Sequence, residues 1–96
     1  VIVAYSARFV RQAEAAIQWC KEHGPPISIA DEIEWLAEHT LRNPETWPLV
    51  ANARTRGLRR AYLPAIGYHV YYRIDPRRGV IMFREFRHAK RRPVRV

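Results

Sequence analysis

The apolar positions change their period partway along the chain. Residues 1–5, VIVAY, form a short β-branched apolar run with the composition of a strand. Ser6 then stands where an N-cap belongs, and Phe9, Ala13, Ala16, Ile17 and Cys20 follow at spacings that line one face of a helix. Gly24 closes that pattern and Pro25-Pro26 breaks it. A second helix is predicted to start near Pro26 or Ser28. Asp31 and Glu32 fall in its first turn, where the helix dipole favours acids. Ile29, Ile33, Leu36 and Thr40/Leu41 form its apolar stripe, and Asn43-Pro44 stops it. Residues 7–43 therefore read as an αα-hairpin joined by a very short turn.

Residues 44–57, PETWPLVANARTRG, carry two prolines and no clean period, and read as an ordered loop pinned by Trp47. After it the period becomes two. GLRRAYL (57–63) is a predicted strand. Ile66, Tyr68, Val70, Tyr72 and Ile74 alternate strictly and share one face of the next. Asp75-Pro76-Arg77-Arg78-Gly79 is a turn. VIMFREF (80–86) is a further strand whose apolar start on both faces predicts an interior position. The order β-α-α-β-β-β implies a small α+β domain spanning 1–96, with a helical hairpin packed on a mostly antiparallel sheet.

Composition narrows the function classes. The 48% hydrophobic content is that of a globular chain rather than a disordered one. One cysteine, Cys20, excludes an intrachain disulfide framework, and the absence of a Cys/His cluster argues against a structural zinc site; no metal or cofactor is expected. Without a long apolar run or a visible signal peptide, a soluble cytoplasmic protein is the expectation.

Charge is the informative quantity. Residues 1–53 hold Arg8, Arg11, Lys21 and Arg42 against seven acids, a net of −3. Residues 54–96 hold thirteen Lys or Arg against Asp75 and Glu85, a net of +11. Fifteen of the seventeen basic residues are Arg, whose planar guanidinium suits phosphate and carboxylate. Such a half attracts a polyanion: nucleic acid, an acidic protein or anionic lipid.

Several pieces resemble one superfamily, the RelE/ParE toxins of bacterial type II toxin–antitoxin modules. They are Tyr5-Ser6 leading into Ala16-Ile17-x-Trp19; Asn43-Pro44 after the second helix; Gly57-Leu58-Arg59-Arg60 entering a strand; Gly67-Tyr68-x-Val70-x-Tyr72-Arg73; and Phe86-x-His88-x-x-Arg91. The resemblance covers nearly the whole chain and implies two activities on one fold. RelE-like members cut mRNA on the ribosome, whereas ParE-like members resemble a DNA gyrase inhibitor and lack the nuclease residues. It also implies an acidic antitoxin segment that folds on the toxin in a hetero-oligomer.

Against the RelE-like pattern, Arg60 matches one strand lysine, Tyr62 falls where the second would be, and His69 replaces the arginine after Gly-Tyr. Arg91 matches the late arginine, and the terminal tyrosine has no counterpart. The nuclease candidates are thus Arg60, His69, Arg73, His88 and Arg91. His69, Tyr71 and Arg73 share a strand face and could form an acid/base and phosphate-binding row, although a polar strand face is more often simply solvated. The ParE-like reading is favoured, with Arg59, Arg60, Arg73, Arg84, Arg87, Arg91 and Arg92 as the binding surface for antitoxin and gyrase. An mRNA interferase acting with the ribosome is the alternative, and a non-toxic nucleic-acid-binding domain is a third. Trp19 and Trp35 are expected to seal the hairpin against the sheet, and Cys20 to lie in the core.

Overall fold

The computed structural model describes residues 1–24 and 27–90. Its elements follow the expected order: β1 (Ile2–Tyr5), α1 (Ala7–His23), α2 (Ile29–Arg42), β2 (Leu58–Leu63), β3 (Tyr68–Asp75) and β4 (Val80–His88). Both helices start on serine caps. Ser6 Oγ accepts from the Phe9 amide at 3.0 Å, and Ser28 Oγ from the Asp31 amide at 3.2 Å. Each cap satisfies an amide that the helix leaves unpaired, an effect of about 1 kcal/mol. Gly24 ends α1 at φ −103°, outside the left-handed region. Its value is space, because a Cβ there would lie 2.8 Å from Cys20 Cα and 2.9 Å from Cys20 O.

The four strands are ordered β1-β4-β3-β2. β2–β3 and β3–β4 are antiparallel, and β1 runs parallel to β4. β4 is thus interior, as its two-sided apolar start predicts. Because β1 pairs only from Ile2↔Val80 to Tyr5↔Phe83, the margin of β4 beyond Phe83 has no strand partner on that side among the described residues. The start of α1 takes that place. The Ser6 amide donates to Phe83 O at 2.9 Å, Ser6 Oγ donates to Arg84 O at 2.9 Å, and Gln12 Oε1 accepts from the Phe86 amide at 2.7 Å. A β-bulge lies at the same level: Tyr71 faces Glu85 while Tyr72 faces Phe83, so Arg84 has no opposite residue.

The helices seal one face of the sheet. Phe9, Ala13, Ala16, Ile29, Ile33, Leu36 and Ala37 pack on Ala61, Leu63, Val70, Tyr72, Ile81, Phe83 and Phe86. The Phe9 ring lies 5.6 Å from both Phe83 and Phe86, edge-on to each. Cys20 packs partly buried against this core. Trp19 and Trp35 do not seal the hairpin: they are 56% and 48% exposed. Each sits one residue, about 100° of helix, from a stripe position and so points past the sheet. They stack instead on the histidine one turn later, Trp19 on His23 and Trp35 on His39.

Loop 44–57 is held at its first half. Tyr72 Oη donates to Pro44 O at 2.7 Å, and the Arg59 guanidinium donates to Trp47 O at 2.6 Å and Glu45 O at 3.3 Å. Leu49 bridges Arg59 in antiparallel fashion, and Trp47 packs half-buried against the core, the pin the loop was expected to have.

Candidate functional site

The face of the sheet away from the helices is built by strand parity. Register places nine residues there in three rows: Tyr62–His69–Arg87, Arg60–Tyr71–Glu85 and Leu58–Arg73–Met82. Neighbours are about 4.8 Å apart across strands and about 6.8 Å along them. Three of the nine are buried yet stand outside the main core cluster, Leu58 at 1% and Tyr71 and Glu85 at 3% exposure each. The face therefore has a packed floor. Arg60, Tyr62 and Arg73 rise from it exposed, and Arg84 is exposed at the bulge beside it.

His69 sits in the first row, half-buried. Its ring lies 5.1 Å from Tyr62 and 6.4 Å from Tyr71. Its Nδ1 is buried without a hydrogen-bond partner among the described residues. Burial first, and then the positive charge of Arg60, push its pKa below the usual histidine value, with the Ala61 backbone acting weakly the other way. A neutral imidazole among arginines and tyrosines can accept a proton or a hydrogen bond next to an anion.

Glu85 is the residue that sequence reading passed over. It is 3% exposed on a face that is otherwise cationic. Its carboxylate accepts from Arg8 Nη1 at 2.8 Å and Gln12 Nε2 at 3.4 Å, both on α1, and lies 3.8 Å from Arg87 Nη1. The local signal was a lone acid between two arginines in Arg84-Glu85-Phe86-Arg87. Its partners Arg8 and Gln12 lie more than seventy positions away, so no local pattern names them.

Of the expected site residues, Arg60, His69, Arg73 and Arg87 share this face, with Arg84 at its margin. His88 does not. Register sets it opposite Tyr68, on the core-side parity of β4. Its ring meets Tyr68 edge-on at 5.1 Å and its Nδ1 accepts from the Lys90 amide at 3.1 Å. The two histidines therefore cannot form one acid/base pair. Arg59 is also of the opposite parity, and its guanidinium is engaged on the loop carbonyls. Arg91 and Arg92 lie outside the described residues. Tyr72 belongs to the core, where burial raises its pKa against the lowering influence of Arg59 and the Trp47 backbone. Among the described residues no group of three His, Cys, Asp or Glu side chains is placed to hold a metal ion. No described helix is long and apolar enough to cross a membrane.

No protein-family model matches the sequence, and no curated protein does. Solved structures do. The isolated E. coli RelE toxin superposes with a TM-score of 0.63 at 14% identity, covering 94% of this chain and 85% of that one. A chromosomal ParDE toxin–antitoxin system from P. aeruginosa gives 0.64 at 9% identity over 94% and 97%. The E. coli DinJ-YafQ toxin–antitoxin complex gives 0.55 at 18% identity over 90% and 89%. At these identities it is the architecture that is shared, over nearly the full length of each chain. The protein has the fold of the RelE/ParE toxin superfamily.

Proposed function

We propose that the protein is the toxin of a bacterial type II toxin–antitoxin module, acting in the ParE-like manner by binding rather than by cutting. Its target surface is the open face of the sheet, and a cognate acidic antitoxin neutralises it in a hetero-oligomer in the cytoplasm. The observation that carries this reading is the gathering of Arg60, Arg73, Arg84 and Arg87 on or beside the face of the sheet that no helix covers among the described residues, while the helices seal the other face. The likeness to a RelE toxin, a ParDE system and a DinJ-YafQ complex supports it. DNA gyrase is the target that the ParE-like resemblance implies. Expressed alone, the chain is expected to arrest growth. Co-expression with a short acidic neighbouring reading frame is expected to relieve the arrest and to co-purify the two chains. Purified protein is expected to inhibit gyrase supercoiling while mRNA stays intact. Unimpaired growth together with no co-purifying partner would remove the proposal.

One observation favours a second reading, ribosome-dependent mRNA cleavage. His69 is held neutral beside Arg60 and between two tyrosines, a setting suited to accepting the 2′-hydroxyl proton. The placement of His88 on the other side counts against it. Codon-dependent cuts in a toeprint assay on translating ribosomes, lost in His69→Gln, would favour this reading over the first.

A further inference from the structure

Glu85 links the two sides of the molecule. It is a buried carboxylate touched by α1 through Arg8 and Gln12 and by the open face through Arg87. The two arginines differ. Arg8 is close, at 2.8 Å, but its side chain is 65% exposed. Arg87 is farther, at 3.8 Å, and mostly buried. A buried carboxylate is costly to leave without a cation. Whatever draws Arg8 away must therefore pull a replacement toward Glu85, and Arg87 already stands on its other oxygen, Oε2. Arg87 would then be lost to any ligand on the open face.

We infer that Glu85 is a positioning residue that sets how much of Arg87 the open face can offer, and that Arg8 on α1 controls it. This rests on the reading that the open face binds an anionic partner. Occupation of Arg8 by an acidic partner at the start of α1 would weaken target binding on the sheet without covering it. By reciprocity, a ligand that draws Arg87 outward strengthens the Arg8–Glu85 contact. Neutralisation of the site could thus begin at the margin of the sheet.

The test uses the full chain and an oligoglutamate peptide of about twelve residues, with affinity measured by fluorescence anisotropy at low and high salt. Arg8→Gln is expected to weaken binding about threefold, the size of one partly screened charge contact. Glu85→Gln, which retains the shape and removes the charge, is expected to tighten binding about threefold by releasing Arg87. In the Glu85→Gln background, Arg8→Gln is expected to change nothing, and Arg8→Lys in the unaltered chain to bind as the wild type does. An Arg8→Gln loss that persists undiminished in the Glu85→Gln background overturns the inference, because Arg8 then touches the peptide directly. So does a properly folded Glu85→Gln that binds more weakly. Should Glu85→Gln fail to fold, Arg8→Gln is tested with Arg87→Gln instead: its effect must vanish there, and persistence is a refutation. A wild-type chain that binds no peptide would remove the open-face reading itself, an outcome distinct from additive mutations in a chain that does bind.

Discussion

The two faces of one sheet are made by alternate residues of the same strands, and they follow different rules. On β3, Val70 and Tyr72 are fully buried beneath the helices, whereas His69 and Arg73, one step away, stand on the open side. The sealed face is a stability device in which shape dominates: the rings of Phe9, Phe83 and Phe86 interlock, and the small side chains of Ala13, Ala16 and Ala37 complete the helix-side packing. The open face has a floor of Leu58 and Tyr71 and a rim of guanidinium groups. The difference shows how alternate residues of the same strands carry a packed core on one side and a set of cations on the other. A single-residue register slip would exchange the two faces and lose both properties.

The largest effect should come from breaking the sealed face. Phe83→Ala is expected to cost about 3–5 kcal/mol, a large share of the stability of a domain this size, and to lower Tm by at least about 12 °C. Urea and thermal denaturation measure this directly. A loss below about 1 kcal/mol would mean that the aromatic cluster is not the core.

Tyr72→Phe sharpens the comparison at the point where the core holds the loop. It removes the hydroxyl that donates to Pro44 O and leaves that carbonyl short of a partner. The expected cost is about 1 kcal/mol, with faster hydrogen exchange at the hydrogen-bonded amides of Thr46 and Val50. Exchange that is unchanged would show that Arg59 alone holds the loop.

His69 predicts a pH dependence confined to the open face. Its folded-state pKa lies below the unfolded value, so the unfolded chain takes up the proton more readily. Stability is therefore at its full value above the unfolded pKa of about 6.5 and declines as pH falls through the lower folded pKa. His69→Gln is expected to flatten the midpoint of urea unfolding between about pH 7 and pH 5. An equally steep decline in the variant would place the titration elsewhere. The smallest stability effect belongs to Arg73→Gln, within about 0.5 kcal/mol, accompanied by a clear loss of growth arrest. Arrest that is undiminished would move the target surface off the sheet.

Much of the fold was readable in order and period. The apolar spacing of α1 and α2, the serine caps and the strict alternation of β3 all correspond to observed elements, because each follows from contacts within a few residues. β4 runs two residues past its predicted end, to His88, since pairing with Tyr68 continues there. Less of the site was readable. His69 and Arg73 could be placed on one side of β3 by parity alone; that Arg60 joins them was decided by the β2–β3 register. The bulge at Arg84 could not be read from parity, nor could the engagement of Arg59 on carbonyls of residues 45 and 47. The exposure of Trp19 and Trp35 was missed because a stripe edge looks the same in sequence whether or not the sheet extends beneath it.

By itself the amino-acid sequence determined the element types, their order, the alternation that separates apolar from polar positions on β3, and the concentration of arginine in the second half. These are local or additive properties, carried by neighbouring residues and by simple composition. Only the tertiary structure decided that β1 lies parallel on β4, that the start of α1 occupies the margin of that strand, and that Glu85 lies between Arg8 and Arg87. Apart from the Glu85–Arg87 pair, two positions apart on one strand, those contacts join residues more than seventy positions apart, and they form only when burial of the whole core offsets the entropy of bringing such distant segments together.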